Sequence, residues 1–343
     1  MPTPTTFGPP SQEAVKSVLA GVVDPELGDN IVDLGMVRRI EVEGGIVDVT
    51  VALTTAGCPL RAQLMNDVRA RVGSLPGVGE VRVHFGEMTS EQKGSVMARA
   101  RWKAREGAPD TDIPARTRIA AVASGKGGVG KSSVTANLAA ELANRGFTVG
   151  VLDADIGGFS IPRMLGLSTQ LVAEGKKIVP LERCIGPGRL KVVSMGSIEG
   201  TAEDQAVMLR GFMLNRAVQH FLEDVRWGEM DYLLIDMPPG TSDIQMGLAR
   251  MLPRAEVLIV TTPALAAQQV AARAADMARK GHLRVAGVIE NMSEFVCDHG
   301  TSYALFGSGG GQRLADQIGA PLLGRIPLDP AMAAGADVGV PAS

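Results

Sequence analysis

Aromatic residues are scarce in this chain of 343 residues: Phe, Tyr and Trp together make up 3% of it, with only 2 Trp and 2 Tyr. So little ring surface leaves almost nothing on which bases stack, which excludes single-stranded nucleic-acid binding by stacking platforms. An excess of positive charge is missing too. Lys and Arg number 34 against 37 Asp and Glu, a formal net charge of −3, so the basic footprint of a phosphate-backbone binder is absent. Cysteine is sparse and odd in number, at 3. No disulfide framework is expected, and Cys58, Cys184 and Cys297 are each weighed as a single reactive or metal-binding thiol. No run of about 18 apolar residues occurs, and Met1-Pro2-Thr3-Pro4-Thr5-Thr6 has no basic segment leading into an apolar one. The expectation is a cytoplasmic protein with neither membrane nor nucleic acid as partner.

Glycine, by contrast, is plentiful at 42 residues. Residues 124 to 133 read Ser-Gly-Lys-Gly-Gly-Val-Gly-Lys-Ser-Ser, a phosphate-binding loop. Gly125, Gly127, Gly128, Val129 and Gly130 are small enough, or so placed, that backbone N–H groups converge on the phosphates of a nucleotide. Lys131 then falls on the β- and γ-phosphate oxygens, and the Ser132 hydroxyl, with Ser133 beside it, falls at Mg²⁺. The flanks agree. Arg118 to Ala123 is a short strand-type run, and Ser132 to Arg145 carries Val134, Leu138 and Leu142 on one helical face. A strand, a glycine loop and a helix N-terminus follow in the order that ATP and Mg²⁺ binding requires.

Two acidic motifs follow further strand-type runs. Phe147 to Leu152 ends in Asp153-Ala154-Asp155, and Tyr232 to Ile235 ends in Asp236-Met237-Pro238-Pro239-Gly240. In an open parallel sheet such strand ends border the ligand crevice. Asp236 fits a Walker B role on Mg²⁺ through water, and Gly240 fits a hinge that senses the γ-phosphate. A plainer reading of Asp153 is that it caps the next helix. Glu256 to Thr262 and Val285 to Asn291 continue as strands around a helix from Ala264 to Lys280, and Asn291 at its strand end is either an adenine reader or a turn residue.

Ahead of the loop the chain reads as a separate small α+β domain, residues 8–87. Val47, Val49, Val51 and Leu53 alternate with polar or small residues, as do Val81, Val83 and Phe85, and Leu60, Leu64, Val68 and Val72 give a helix between them. Residues 88–117 are charged, with Pro109 and Pro114 near their end, and read as a linker with helix around Gln92 to Arg105. Residues 118–335 form the α/β domain with a mostly parallel sheet. Thr54 to Leu60 places Cys58 at a helix start, where a thiolate is favoured.

Lys126, five residues before Lys131, is not needed to shape a phosphate cradle. With it, residues 118 to 330 resemble the deviant Walker A class of P-loop proteins, which includes MinD, ParA and the Mrp/ApbC group. The resemblance implies a homodimer closed around two ATP molecules, with Lys126 reaching the partner's nucleotide. It also implies catalytic roles for Lys126, Lys131 and Asp155, the last positioning the attacking water, and support of the metal shell by Asp153. Hydrolysis is then slow and dependent on the dimer.

The segment from Asp24-Pro25-Glu26 through Ile31 to Gly35 and on to Gly57-Cys58-Pro59 resembles the small domain of SufT-like iron–sulfur assembly factors. An N-terminal unit of that kind joined to such an ATPase resembles the Mrp/ApbC iron–sulfur carrier family. Further matches are Ser160 to Leu167, Glu290-Asn291-Met292-Ser293, Phe306-Gly307, Gly309-Gly310-Gly311 and Leu323 to Asp329. That family implies transfer of a [4Fe–4S] cluster to apo-proteins, in contact with assembly machinery. It places a Cys-x-x-Cys pair after Asn-Met-Ser, and here only Cys297-Asp298-His299-Gly300 follows. Cys297 is one candidate ligand, His299 or Cys58 supplies the rest, or the cluster function is absent. The alternative function is a MinD/ParA-like positioning or adaptor switch that carries no cluster.

Overall fold

Alternation of period two and runs buried on both faces produce two compact units, residues Met1–Gly107 and Ala108–Ser343. The computed structural model describes residues 8–342 apart from 25, 26, 28, 54–60, 107–109, 156, 157, 159, 169, 176, 198–210, 241 and 242.

The first unit runs α1 (Gln12–Leu19), β1 (Val23–Asp24), β2 (Asp29–Asn30), β3 (Val37–Glu43), β4 (Ile46–Leu53), α2 (Arg61–Gly73), β5 (Glu80–Glu87) and α3 (Ser90–Glu106). The Ser11 hydroxyl caps α1 by accepting the Ala14 N–H at 3.1 Å. β3 pairs antiparallel with β4, and β4 pairs parallel with β5 across the α2 crossover. Val47, Val49 and Val51 meet Leu64, Val68 and Val72 in one core, on the faces that the alternation predicts.

The second unit runs β6 (Arg118–Ser124), α4 (Lys131–Asn144), β7 (Thr148–Asp153), α5 (Ile161–Met164), β8 (Val172–Glu174), β9 (Lys177–Val179), β10 (Leu181–Ile185) and β11 (Gly188–Ser194). It continues with α6 (Gly211–Glu223), β12 (Tyr232–Asp236), α7 (Asp243–Met251), β13 (Glu256–Thr261), α8 (Leu265–Lys280) and β14 (Arg284–Val296). The last elements are β15 (Ser302–Tyr303), α9 (Gly310–Ile318), β16 (Leu322–Leu328) and α10 (Pro330–Asp337). Among the described residues the main sheet has nine strands, in the order β10-β11-β7-β12-β6-β13-β14-β15, with β16 also on β14. All neighbours from β11 to β14, and β16, are parallel, while β10 and β15 join antiparallel. Cys184 sits in the β10–β11 hairpin, paired with Arg189.

Three readings are refined. The face that α4 buries is lined by Val134, Ala136, Ala139, Ala140 and Ala143, with Leu138 and Leu142 only partly covered. Small side chains let the helix lie close on the sheet. The expected linker 88–117 is largely built into the two units: Met88, Val96 and Ala100 join the first core, and Ile113 joins the second. Arg254 donates to the carbonyls of Ile113, Pro114 and Ala115, which fixes the approach to β6. The strand expected to stop at Asn291 runs on to Val296. It bends where Met292 takes φ 54° and the pairing with β16 shifts register.

Gly311, in the first turn of α9, has a packing role. Glu290, 1% exposed, accepts the Gly311 N–H and pairs with Arg325 at 3.2 Å. A Cβ on Gly311 would lie 2.6 Å from that of Glu290, so the helix start admits no side chain there.

Candidate functional site

β7, β12 and β6 lie side by side and parallel, so their last residues, Asp153, Asp236 and Ser124, come to one edge of the sheet. The loop from Gly125 to Gly130 leaves that edge and enters α4. A Cβ on Gly125 would lie 2.1 Å from the Val270 backbone, so only glycine passes α8 here. Gly130 is the N-cap of α4 with φ 81° and supplies no side-chain cap. The first N–H groups of a helix of 14 residues are thus left for an external anion.

Lys131, only 6% exposed, needs anionic partners. Its Nζ lies 2.8 Å from Asp236 Oδ2 and 3.6 Å from Asp155 Oδ2. The Ser132 hydroxyl donates to the same Asp236 oxygen at 2.6 Å. A hydroxyl and a carboxylate converging at one point form a hard oxygen donor set of the kind that suits Mg²⁺. Lys126 is exposed and enters no ion pair among the described residues, while its carbonyl accepts the Ser124 hydroxyl at 3.1 Å.

Asp153 has a different surrounding. Fully buried, it accepts the N–H groups of Asp155, Ser160 and Ile161 at 3.2, 3.2 and 3.3 Å, and the Ser194 hydroxyl at 3.2 Å. Burial first, and then the Asp236 charge, push its carboxyl up to about 7 against the lowering effect of those N–H donors. Its oxygens hold the chain that leads into α5, as the helix-capping reading expected.

Gly240 has φ 88°, a left-handed backbone that glycine adopts freely. Its N–H donates to the Ser124 carbonyl at 2.9 Å and its own carbonyl accepts Gln245 Nε2 at 2.6 Å. The residue expected to act as a hinge is therefore tied to the strand that feeds the phosphate loop. Asn291 does not lie at a strand end. Its Nδ2 donates to the Val129 carbonyl at 2.9 Å, so the amide braces the phosphate loop. Gln245, Ser194 and Thr135 were missed by the sequence reading. Thr135 alone left a trace, as a hydroxyl on the helix face that turns to the sheet.

Past the end of β14, residues 297–301 form a tight hairpin into β15. Cys297 N–H donates to Thr301 O at 3.0 Å, Gly300 N–H donates to Cys297 O at 2.8 Å, and Gly300 takes φ 77°. The N–H groups of His299 and then Thr301 point at the sulfur and hold the Cys297 thiol below its ordinary pKa. His299 is exposed. Cys58 lies outside the described residues. Among the described residues no three His, Cys, Asp or Glu side chains come together as a metal cage. No helix among them is long and apolar enough to cross a membrane.

A family model described as a NUBPL iron-transfer P-loop NTPase matches residues 115–343, and one described as an iron-sulfur cluster assembly protein matches residues 12–83. A Mycobacterium leprae protein named iron-sulfur cluster carrier protein is 45% identical over 341 residues, covering 96% of this chain and 87% of its own length. A Deinococcus radiodurans protein of the same name is 43% identical over 333 residues, covering 96% and 88%. Among solved structures, a nucleotide-binding protein from Archaeoglobus fulgidus in complex with ADP is 34% identical with a TM-score of 0.53. The match covers 65% of this chain and 86% of that one.

Proposed function

The chain belongs to the NUBPL iron-transfer P-loop NTPase family, and on that premise we propose that it is an ATP-dependent carrier of iron–sulfur clusters. ATP would bind with its phosphates at the N-terminus of α4, with Mg²⁺ held by Ser132 directly and by Asp236 through water. Asp155, beside Lys131, orients the attacking water, and Gly240 answers to the γ-phosphate. Lys126 reaches the nucleotide of a second copy, so that slow hydrolysis resets a homodimer. The cluster is cargo, passed to apo-proteins in the cytoplasm.

The observation that carries this reading is a single strand, β14, which braces the phosphate loop through Asn291 and runs directly into the Cys297 thiol. A thiolate is the form that binds iron, and the hairpin N–H groups favour it. Two copies of this hairpin supply two thiolates to a [4Fe–4S] cluster shared between them, and His299 is a candidate for the remaining ligands. The two reported relatives carry the carrier name, which favours this reading over a positioning switch without cargo.

The test is anaerobic reconstitution with iron and sulfide, followed by metal and sulfide analysis of the wild type, Cys297→Ala, His299→Ala and Cys58→Ala. Loss of bound cluster in Cys297→Ala is expected. A Cys297→Ala protein that loads as much cluster as the wild type excludes this thiol as a ligand, and a wild type that loads none excludes the carrier reading.

A further inference from the structure

The carboxylate of Asp236 is held from two sides, and the phosphate-loop reading uses only one. Oδ2 receives Ser132 and Lys131, as described, whereas Oδ1 lies 2.9 Å from the hydroxyl of Thr135. Thr135 is fully buried, one turn along α4 from Lys131, and its hydroxyl is also 3.0 Å from the Lys131 carbonyl. A hydroxyl has one proton to give. The Lys131 carbonyl already serves the i→i−4 backbone ladder of the helix, and an ionised carboxylate is the stronger acceptor. The proton therefore goes to Asp236 Oδ1.

We propose that Thr135 is a positioning residue for Mg²⁺: its hydroxyl holds Oδ1 of Asp236 so that Oδ2 stays turned toward Ser132. Thr135 touches neither nucleotide nor metal and acts through the carboxylate alone. Without that donor only the contacts of Oδ2 with Lys131 and Ser132 set the last torsion of the carboxylate, a broad and soft one, and its orientation toward Ser132 is less well fixed. The inference rests on the reading of Ser132 and Asp236 as the groups that hold the metal, Asp236 through water.

The experiment measures binding of a fluorescent ADP analogue to the full chain, first in chelator and then through a Mg²⁺ titration, for the wild type, Thr135→Val and Thr135→Ser. Valine keeps the shape and loses the hydroxyl, while serine keeps the hydroxyl. Metal-free affinity stays within about twofold of the wild type in both variants, whereas the Mg²⁺ concentration for half-maximal response rises about tenfold or more in Thr135→Val. Thr135→Ser responds close to the wild type. A thermal melt establishes that each variant is folded, and Thr135→Ala takes the place of valine if that variant does not fold. A hydroxyl-free variant that responds to Mg²⁺ as the wild type does overturns the proposal, and so does a serine variant as impaired as valine. A wild type indifferent to Mg²⁺ overturns the metal reading along with it.

Discussion

Asp153 and Asp236 face each other across neighbouring parallel strands, each the last residue of its strand. The second carboxylate has Lys131 at 2.8 Å, while the first is buried among N–H and O–H donors with its carboxyl pushed up to about 7. The folded value lies above the unfolded one, so between about pH 4 and about pH 7 the folded chain holds a proton that the unfolded chain has released. Each pH unit in that window removes stability, and above about 7 the loss is complete. Melting temperatures of the nucleotide-free protein across the window should fall by on the order of 5 °C more in the wild type than in Asp153→Asn. Equal slopes in the two proteins would show that Asp153 titrates normally.

Asn291 braces the phosphate loop through Val129 and has a second use only if it also reads the base. Asn291→Ala removes one buried hydrogen bond of about 1 kcal/mol, so affinity for ATP and for GTP should each fall about fivefold. The ratio between them stays constant if the brace is the whole role. Competition binding with both nucleotides measures that ratio, and a ratio that collapses toward unity would restore the adenine-reading role.

Lys126 is exposed on a loop whose other lysine is buried in ion pairs. If it acts on the nucleotide of a second copy, Lys126→Ala lowers the hydrolysis rate by about 10³-fold or more while ADP binding to a single chain changes little. Wild-type specific activity then rises with protein concentration. Activity independent of concentration in the wild type, or retained in the variant, rules out the trans role.

Cys297 is held below the ordinary thiol value by the N–H of His299 first and that of Thr301 second. Iodoacetamide labelling, resolved by peptide mass spectrometry, should reach half its maximal rate at a pH below the usual value of about 8.5. In urea the hairpin N–H groups no longer converge on the sulfur, and the profile returns to the ordinary value. Identical profiles in the folded and unfolded protein would remove the electrostatic argument for this thiol as a ligand.

Much of the nucleotide site was legible because its parts are local. The spacing from Gly125 to Ser132 is short enough that a strand, a turn and a helix start fix it. Asp153 and Asp236 were found because each ends an apolar run. What escaped the sequence were contacts between residues far apart in the chain. Thr135 meets Asp236, Ser194 meets Asp153 and Asn291 meets Val129, each through the order in which the sheet arranges its strands. The packing of residues 88–106 into the first unit escaped for a related reason. Met88, Val96 and Ala100 are spaced too thinly in a charged stretch to show a face, and only the core that they close reveals them.

The sequence by itself determined the chemistry on offer: a phosphate cradle, a hydroxyl and carboxylates for a metal, a spare cation, and a thiol at Cys297. These follow from residue type and near-neighbour spacing, which backbone geometry turns into structure directly. The tertiary structure alone decided which carboxylate pairs with Lys131, which one is left buried and proton-hungry, and which amide braces the loop. Those outcomes depend on strand order and burial, and through them on local dielectric and on the unique partner that each polar group finds once water is removed.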